Sequence, residues 1–376
     1  MDYQKLFDSD ISTKAAKAWR AQGKKALGVI CCHVPEEIFY AADVLPVRMR
    51  ATNCVDSSEA ETWMSSFSCS FAKAILQYWL DGTYELDGLV ASDGCMMAAR
   101  IYDNAKYIDA KEGKGRFIMQ IGAPRLSNAR TTPFYKAELM DLIEGLEKLT
   151  GNKITDDKLK AAVEKQNEAR VLMKRVNELR KAENPVISGT DMLKLTLSST
   201  NMPVDEYIEL LKAFLADAAN RTPITDARAR IMVIGSALDN PEYLKVIEDK
   251  GGLVVADALC FGERGFGEPM EIDEKDVLGS IAKYYLERLV CPRMMDKHIE
   301  MHDYVIKSVR DFKADGIIYQ RMQNCECWGG ENVLLEKRLK DEGIPLLTVE
   351  REEQMANAGQ LAIRAEAFIE MIEKED

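Results

Sequence analysis

Histidine is nearly missing from this chain: there are three in 376 residues. That scarcity argues against a histidine-ligated zinc or non-haem iron centre and turns any metal hypothesis toward thiolates. No Cys-x-x-Cys pair occurs either, so zinc-ribbon and ferredoxin-like spacings are both absent. Basic charge is in deficit, with 50 Lys and Arg against 62 Asp and Glu, a net charge of -12. Such a surface repels nucleic acid and anionic lipid headgroups, which excludes phosphate-rich macromolecules as partners. No apolar run reaches the roughly 18 residues of a membrane span. The start, Asp2-Tyr3-Gln4-Lys5, has neither the basic nor the apolar region of a signal peptide. A cytoplasmic protein that meets no membrane and no nucleic acid is expected.

Apolar material is plentiful: 47% of residues, enough for two cores at this length. There are also nine cysteines. An odd number in a reducing compartment argues against disulfides, so each thiol is a small buried hydrophobe, a reactive group or a metal ligand.

Short apolar runs at 25–30, 45–49, 87–91 and 116–121 alternate with helical spacing at 35–42 and 65–80, the signature of a parallel sheet with helices on its faces. From 133 to 221 Lys, Glu, Leu and Ala dominate with helical periodicity, notably at 156–180 and 204–219. Strand patterns return at 230–235, 253–256, 315–319 and 345–349. The halves echo each other: Pro35-Glu36 and Pro241-Glu242 each follow a first strand, and Asp87-Gly88 and Asp315-Gly316 each open a buried one. The expected fold is α/β, with two similar Rossmann-like parallel-sheet domains at 1–132 and 222–376 and a helical insert at 133–221.

Ligands of parallel α/β sheets collect beyond the carboxyl ends of the strands. Cys31 and Cys32 end the first predicted strand, Cys95 follows the third, Cys260 follows the 253–256 strand, and Cys325 and Cys327 follow 315–319. Cys69 lies near the start of the 65–80 helix, where backbone N–H groups favour a thiolate, and Cys291 occupies a loop between helices. Any one of them is as readily a buried small side chain; their common placement points to ligands. Cys69, Cys95 and Cys325 lead as candidates, Cys31, Cys260 and Cys291 follow, and Cys32, Cys54 and Cys327 are expected to be bystanders.

Several segments together carry a family resemblance. They are Val34-Pro35-Glu36-Glu37-Ile38-Phe39-Tyr40-Ala41-Ala42 with Leu45-Pro46-Val47-Arg48; Phe67-Ser68-Cys69-Ser70; and Leu86-Asp87-Gly88-Leu89-Val90 with Cys95. In the carboxyl half they are Val254 to Cys260 with Gly262 and Arg264; Cys291-Pro292-Arg293-Met294; Gln323-Asn324-Cys325 with Trp328; and Gly343-Ile344-Pro345. Over nearly the whole chain this resembles the 2-hydroxyacyl-CoA dehydratase and benzoyl-CoA reductase family, which includes the double-cubane cluster proteins.

The resemblance implies an iron-sulfur cluster that receives single electrons from a separate ATP-hydrolysing iron-sulfur activator protein. Dehydratases of this kind reduce an acyl-CoA thioester to a ketyl radical that expels hydroxide, whereas the reductases push electrons into an aromatic ring. It implies Cys69, Cys95 and Cys325 as ligands of a 4Fe-4S cluster, or these with Cys31, Cys260 and Cys291 around a double-cubane 8Fe-9S cluster. It also implies a homodimer, or a heterodimer with a related subunit, and an acyl-CoA substrate.

Tyr102-Asp103-Asn104 leans toward the benzoyl-CoA reductase branch; a dehydratase subunit or a double-cubane reductase of another substrate is the alternative. Asn324, Cys327-Trp328 and Ala258 depart from the family pattern. An electron-transfer protein without a substrate pocket and a zinc-stabilised scaffold remain open from the cysteines alone.

Other residues have two readings each. Arg48 and Arg50 suit CoA phosphates or ordinary surface pairs. His33 is a proton donor near the first cysteines or a packed side chain, and Glu36 and Glu37 serve a helix start. Ser92-Asp93-Gly94 is a turn that can aim N–H groups at a cluster, or simply a turn. The charges from 158 to 181 read as a solvated helix face whose apolar side packs on another subunit.

Overall fold

The computed structural model describes residues 2–8, 10–288, 291–355 and 357–373. Strands β1 (Lys25–Ile30), β2 (Val44–Arg48), β3 (Gly88–Ser92) and β4 (Phe117–Ile121) form an all-parallel sheet in the order β2-β1-β3-β4. Strands β5 (Ala229–Gly235), β6 (Gly252–Ala258), β7 (Gly316–Met322) and β8 (Leu346–Arg351) form a second in the order β6-β5-β7-β8. The two orders are one permutation used twice, so the protein is an α/β fold of two Rossmann-like domains. Continuous apolar strands follow from this layout, because helices cover both faces of each sheet; every residue of β3 and β6 is buried.

The echoed turn signals do the same work in each domain. Asp87, just before β3, accepts the N–H of Ala26 at 3.0 Å, and Asp315, just before β7, accepts the N–H of Arg230 at 2.6 Å. Each carboxylate ties the start of one central strand to its neighbour. Glycine follows because the space is taken: a Cβ on Gly88 would lie 1.8 Å from the Phe117 carbonyl oxygen, and one on Gly316 2.7 Å from the Phe368 ring.

Four longer helices lie between β4 and β5: Thr131–Thr150, Asp156–Glu178, Gly189–Ser198 and Val204–Asp217. The apolar stripe of the second, with Leu159, Val163, Leu172, Met173 and Val176, is buried within this chain against the Val204–Asp217 and Glu36–Ala41 helices. The expectation that this side packs on another subunit is therefore corrected. Chain order and packing also part company elsewhere: the Val277–Glu287 helix of the second half packs its Val277, Ile281 and Tyr285 into the core around Leu27, Val29 and Val90. The helix expected from residue 65 begins at Ser70 instead and runs to Leu80. Phe67, read as part of its apolar face, is 79% exposed in the turn before it. Among the described residues no helix is long and apolar enough to cross a membrane.

One buried carboxylate braces three of these parts. Glu37 on the Glu36–Ala41 helix faces inward, receiving Arg170 Nη2 from the insert at 2.5 Å and the Tyr285 hydroxyl at 2.7 Å. Burial pushes its carboxyl up, but the charge and hydrogen bonds of Arg170 with that of Tyr285 outweigh burial and leave it below the ordinary value. With a depressed folded-state value, the stabilisation is present above the unfolded-state value of about 4.3 and is lost as pH falls through the folded one. Arg170→Met, which strands the carboxylate, is expected to lower stability at pH 7 by about 3 to 5 kcal/mol in chemical denaturation. The deficit relative to the parent should shrink as the medium is acidified through the carboxylate range; a variant as stable as the parent at pH 7 refutes the brace.

Candidate functional site

The carboxyl ends of the strands of both sheets meet around one cavity of about 170 Å³. Cys31 and Cys32 follow β1, and Cys260 follows β6. Cys69, Cys95 and Cys325 each occupy the N-cap of a helix, Ser70–Leu80, Met96–Glu112 and Glu326–Asp341 respectively. Cys291 lies between the Val277–Glu287 and His298–Asp311 helices. All six cysteines favoured by the sequence line this cavity, three from each half, among apolar groups such as Met49, Phe71, Phe261, Met322 and Trp328.

Cys32 and Cys327, set aside from the sequence, are on the same wall. Successive strand residues point to opposite faces, which by itself would put Cys31 and Cys32 on different sides. Cys31, however, adopts φ 78°, and this left-handed turn breaks the alternation. Asn324 before Cys325 stands at φ 61°, a left-handed conformation that asparagine tolerates better than most residues. Cys54 lies apart, 3% exposed, with its Sγ 3.3 Å from the Asp56 carbonyl oxygen; burial raises its thiol to about 11.

Mutual electrostatic influence links the thiols around the cavity. Cys69 feels Cys95 and Cys325, while Cys260 feels Cys32, and Cys291 acts on both Cys95 and Cys260. Burial pushes Cys69 and Cys95 above the ordinary thiol value despite their helix N-termini, Cys260 up to about 11 and Cys327 to about 12. In the Cys31–Cys32 pair, the Cys31 thiol donates to Cys32 and keeps its proton. Cys32 is favoured as thiolate by that bond and by Arg48, Arg288 and Arg264. For Arg48 and Arg264 burial opposes the charge, and negative charge on the neighbouring cysteines, Cys32 among them, outweighs it. The site is thus a set of mostly neutral thiols beside fixed cations, and thiols of this kind become ligands when a metal displaces their protons. Among the described residues no three His, Cys, Asp or Glu side chains converge closely enough to hold a single ion.

Arg293 fixes the loops around the cavity. Its Nε donates to the Gly94 carbonyl at 2.7 Å and Nη1 to Pro124 at 3.0 Å, while Nη2 donates to the Ala123 carbonyl and, at 3.3 Å, to Asp93. The Ser92-Asp93-Gly94 turn is therefore held from the opposite domain. Gly94 leaves room for a thiol: a Cβ there would lie 2.6 Å from Cys31 Sγ.

Three further sequence readings are settled by position. His33 is fully buried with neither ring nitrogen hydrogen-bonded among the described residues, and burial with nearby Arg293 and Arg288 keeps it neutral. It is a packed side chain off the cavity wall. Arg50 is fully buried and donates to Thr200 at 3.1 Å and to the Asp10 carbonyl at 2.9 Å, so it is not a CoA contact. Arg48 faces the cysteines, with its guanidinium 4.2 Å from the Phe261 ring centroid.

Two Rossmann-like domains closing on a shared thiol-lined cavity define the class of protein, and comparison with known sequences supplies the family. The model for 2-hydroxyglutaryl-CoA dehydratase, D-component, matches residues 31–372, and the chain belongs to that family. It is 26% identical to the (R)-phenyllactyl-CoA dehydratase beta subunit of Clostridium sporogenes over 93% of this chain and 92% of that one. It is 25% identical to a subunit of the benzoyl-CoA reductase of Thauera aromatica over 94% and 92%. It is also 25% identical to the (R)-2-hydroxyglutaryl-CoA dehydratase subunit beta of Acidaminococcus fermentans over 99% and 98%. The family named from the motifs is the one the comparisons return.

Arg293→Met would leave the Gly94 and Ala123 carbonyls without their buried donor. We expect a loss of about 3 kcal/mol in thermal or chemical unfolding and faster hydrogen exchange in residues 93–95 and 123–125. Unchanged exchange in both segments would show that the guanidinium does not hold the loops.

Proposed function

We propose that this chain is the iron-sulfur subunit of an enzyme that reductively activates acyl-CoA thioesters. One observation carries the reading: six cysteines, three from each domain, line one apolar cavity. The donor set fits an iron-sulfur group, since thiolates are its ligands and three arginines on the same wall, Arg48, Arg264 and Arg293, offset the negative charge it would bring. Cys69, Cys95 and Cys325 would hold one part, and Cys31, Cys260 and Cys291 the other, of a double-cubane cluster spanning the domains. Six thiols from two halves on one wall exceed what a single four-iron cluster needs, which favours this arrangement over that one. Such a cluster supplies one-electron reduction at potentials no side chain reaches.

The chain's own residues bind and shield. Phe71, Phe261 and Trp328 keep water from the cavity, Gly94 admits the Cys31 thiol, and Arg293 locks the Cys95 and Cys291 loops together. Electrons would come from a separate ATP-hydrolysing iron-sulfur activator. A second subunit, identical or related, completes the enzyme; the relatives are themselves named as subunits, which supports a partner. Dehydratase and reductase relatives match about equally, so the reading is placed at the step they share, reduction of a thioester-bearing substrate.

Purified without oxygen, the protein should contain about eight irons per chain with matching acid-labile sulfide. About four irons would favour the three-cysteine site, and none after anaerobic reconstitution overturns the proposal. Cys95→Ser and Cys325→Ser should lose most of the cluster absorbance with the fold intact, while Cys54→Ser keeps it. Equal iron in all three variants would refute the ligand set.

A further inference from the structure

Beside the cysteine cavity lies a smaller chamber of about 90 Å³, where the insert, the Glu36–Ala41 helix and the short Glu263–Phe266 helix meet. Cys32, Arg48 and Phe261 belong to both walls, so the chamber adjoins the thiols directly. Its volume leaves room for a short-chain acid.

The chamber carries excess positive charge, and its three arginines are unequally satisfied. Arg170 is paired with Glu37. Arg288 donates Nη1 to the Gly265 carbonyl at 3.1 Å and Nη2 to the Cys32 carbonyl at 3.0 Å, leaving its buried Nε without a hydrogen-bond partner among the described residues. Arg48 stacks on Phe261, and its guanidinium makes no hydrogen bond with any described residue, although Cys32 and Glu36 lend it nearby negative charge. A guanidinium enclosed beside a cavity without an acceptor is costly unless something else supplies one. Tyr40 adds a donor: its hydroxyl accepts the Val204 N–H at 3.2 Å and retains its own proton. The opposing carboxyl is Glu36, also on the wall; burial raises it above its ordinary value, which weakens its competition with an incoming anion. Gly265 keeps the space open, since a Cβ there would lie 2.9 Å from the Cys260 carbonyl oxygen and 3.5 Å from Arg48 Nη1.

We infer that this chamber is a binding site for a short-chain carboxylate, with Arg48 as its anion receptor and Tyr40 as a second donor. A planar guanidinium suits a carboxylate bidentately. A carboxylate so held lies beside Phe261 and the wall shared with the thiols, next to the neighbouring site. The inference rests on the chamber's geometry; Arg48 lies on both walls, so a bound cluster would share its charge with the acid.

Glycolate titrated calorimetrically at pH 7 into metal-free protein and into anaerobically reconstituted protein should bind both. Arg48→Met should weaken binding by about tenfold or more, Arg48→Lys by less, and Tyr40→Phe by a few-fold. Lys148→Met, on the exposed face of the Thr131–Thr150 helix, should change nothing. No glycolate binding by the parent, or parent-like binding by Arg48→Met, overturns the site. If Arg48→Met does not fold, parent-like binding by both Arg48→Lys and Tyr40→Phe overturns it, and weakened binding by either supports it. Iron content of the same preparations reports separately on the cluster.

Discussion

A thiolate taken out of water needs positive charge beside it, and that constraint organises the centre of this protein. The cavity wall carries eight thiols, and burial alone would hold most of them neutral. Arg48, Arg264 and Arg293 supply compensating charge from both halves of the chain. Each is also bound into the scaffold: Arg48 against Phe261, Arg264 on the Ala258 carbonyl at 2.8 Å, and Arg293 across the loops of the opposite domain. Charges fixed in this way do not have to reorganise when a negative group arrives. The cations that make the site electrostatically possible therefore also set its shape.

The helical insert extends the same logic outward. Through Arg170 it braces Glu37, and through Arg180 it holds Asp257, whose Oδ2 receives Nη2 at 2.9 Å. Asp257 Oδ1 in turn accepts the N–H groups of Leu259 and Glu263 at 3.2 and 2.8 Å, shaping the loop that presents Cys260. A Cβ at Gly262 would meet that carboxylate at 1.9 Å. An insert that looks peripheral in sequence is thus tied to a site residue by two buried hydrogen-bond steps, and it also closes one side of the Arg48 chamber.

Much of the fold was legible from local patterns. Buried parallel strands write themselves as short apolar runs bounded by turn residues, so all eight appeared near their observed places, and the Asp-Gly echo marked the repeat. The 65–80 helix was begun too early because an exposed Phe67 mimicked a core position. The long charged helix was assigned an external partner because periodicity reveals an apolar stripe but not what covers it. Glu36 and Glu37 looked equivalent at a helix start. Only the packing of Arg170 and Tyr285 separates the brace from the chamber wall.

By itself the sequence determined the α/β class, the repeat and the six cysteines, because strand ends and helix starts are local features and sheet topology sends them to one edge. Tertiary structure decided which additional groups share that edge. Cys32 and Cys327 join the wall, Arg50 is consumed in the interior, His33 is packed away, and Arg48 is left between two cavities. Those outcomes depend on a left-handed turn at Cys31 and on contacts between segments more than a hundred residues apart, such as Arg293 with Gly94. Local propensity carries no record of such distant partners.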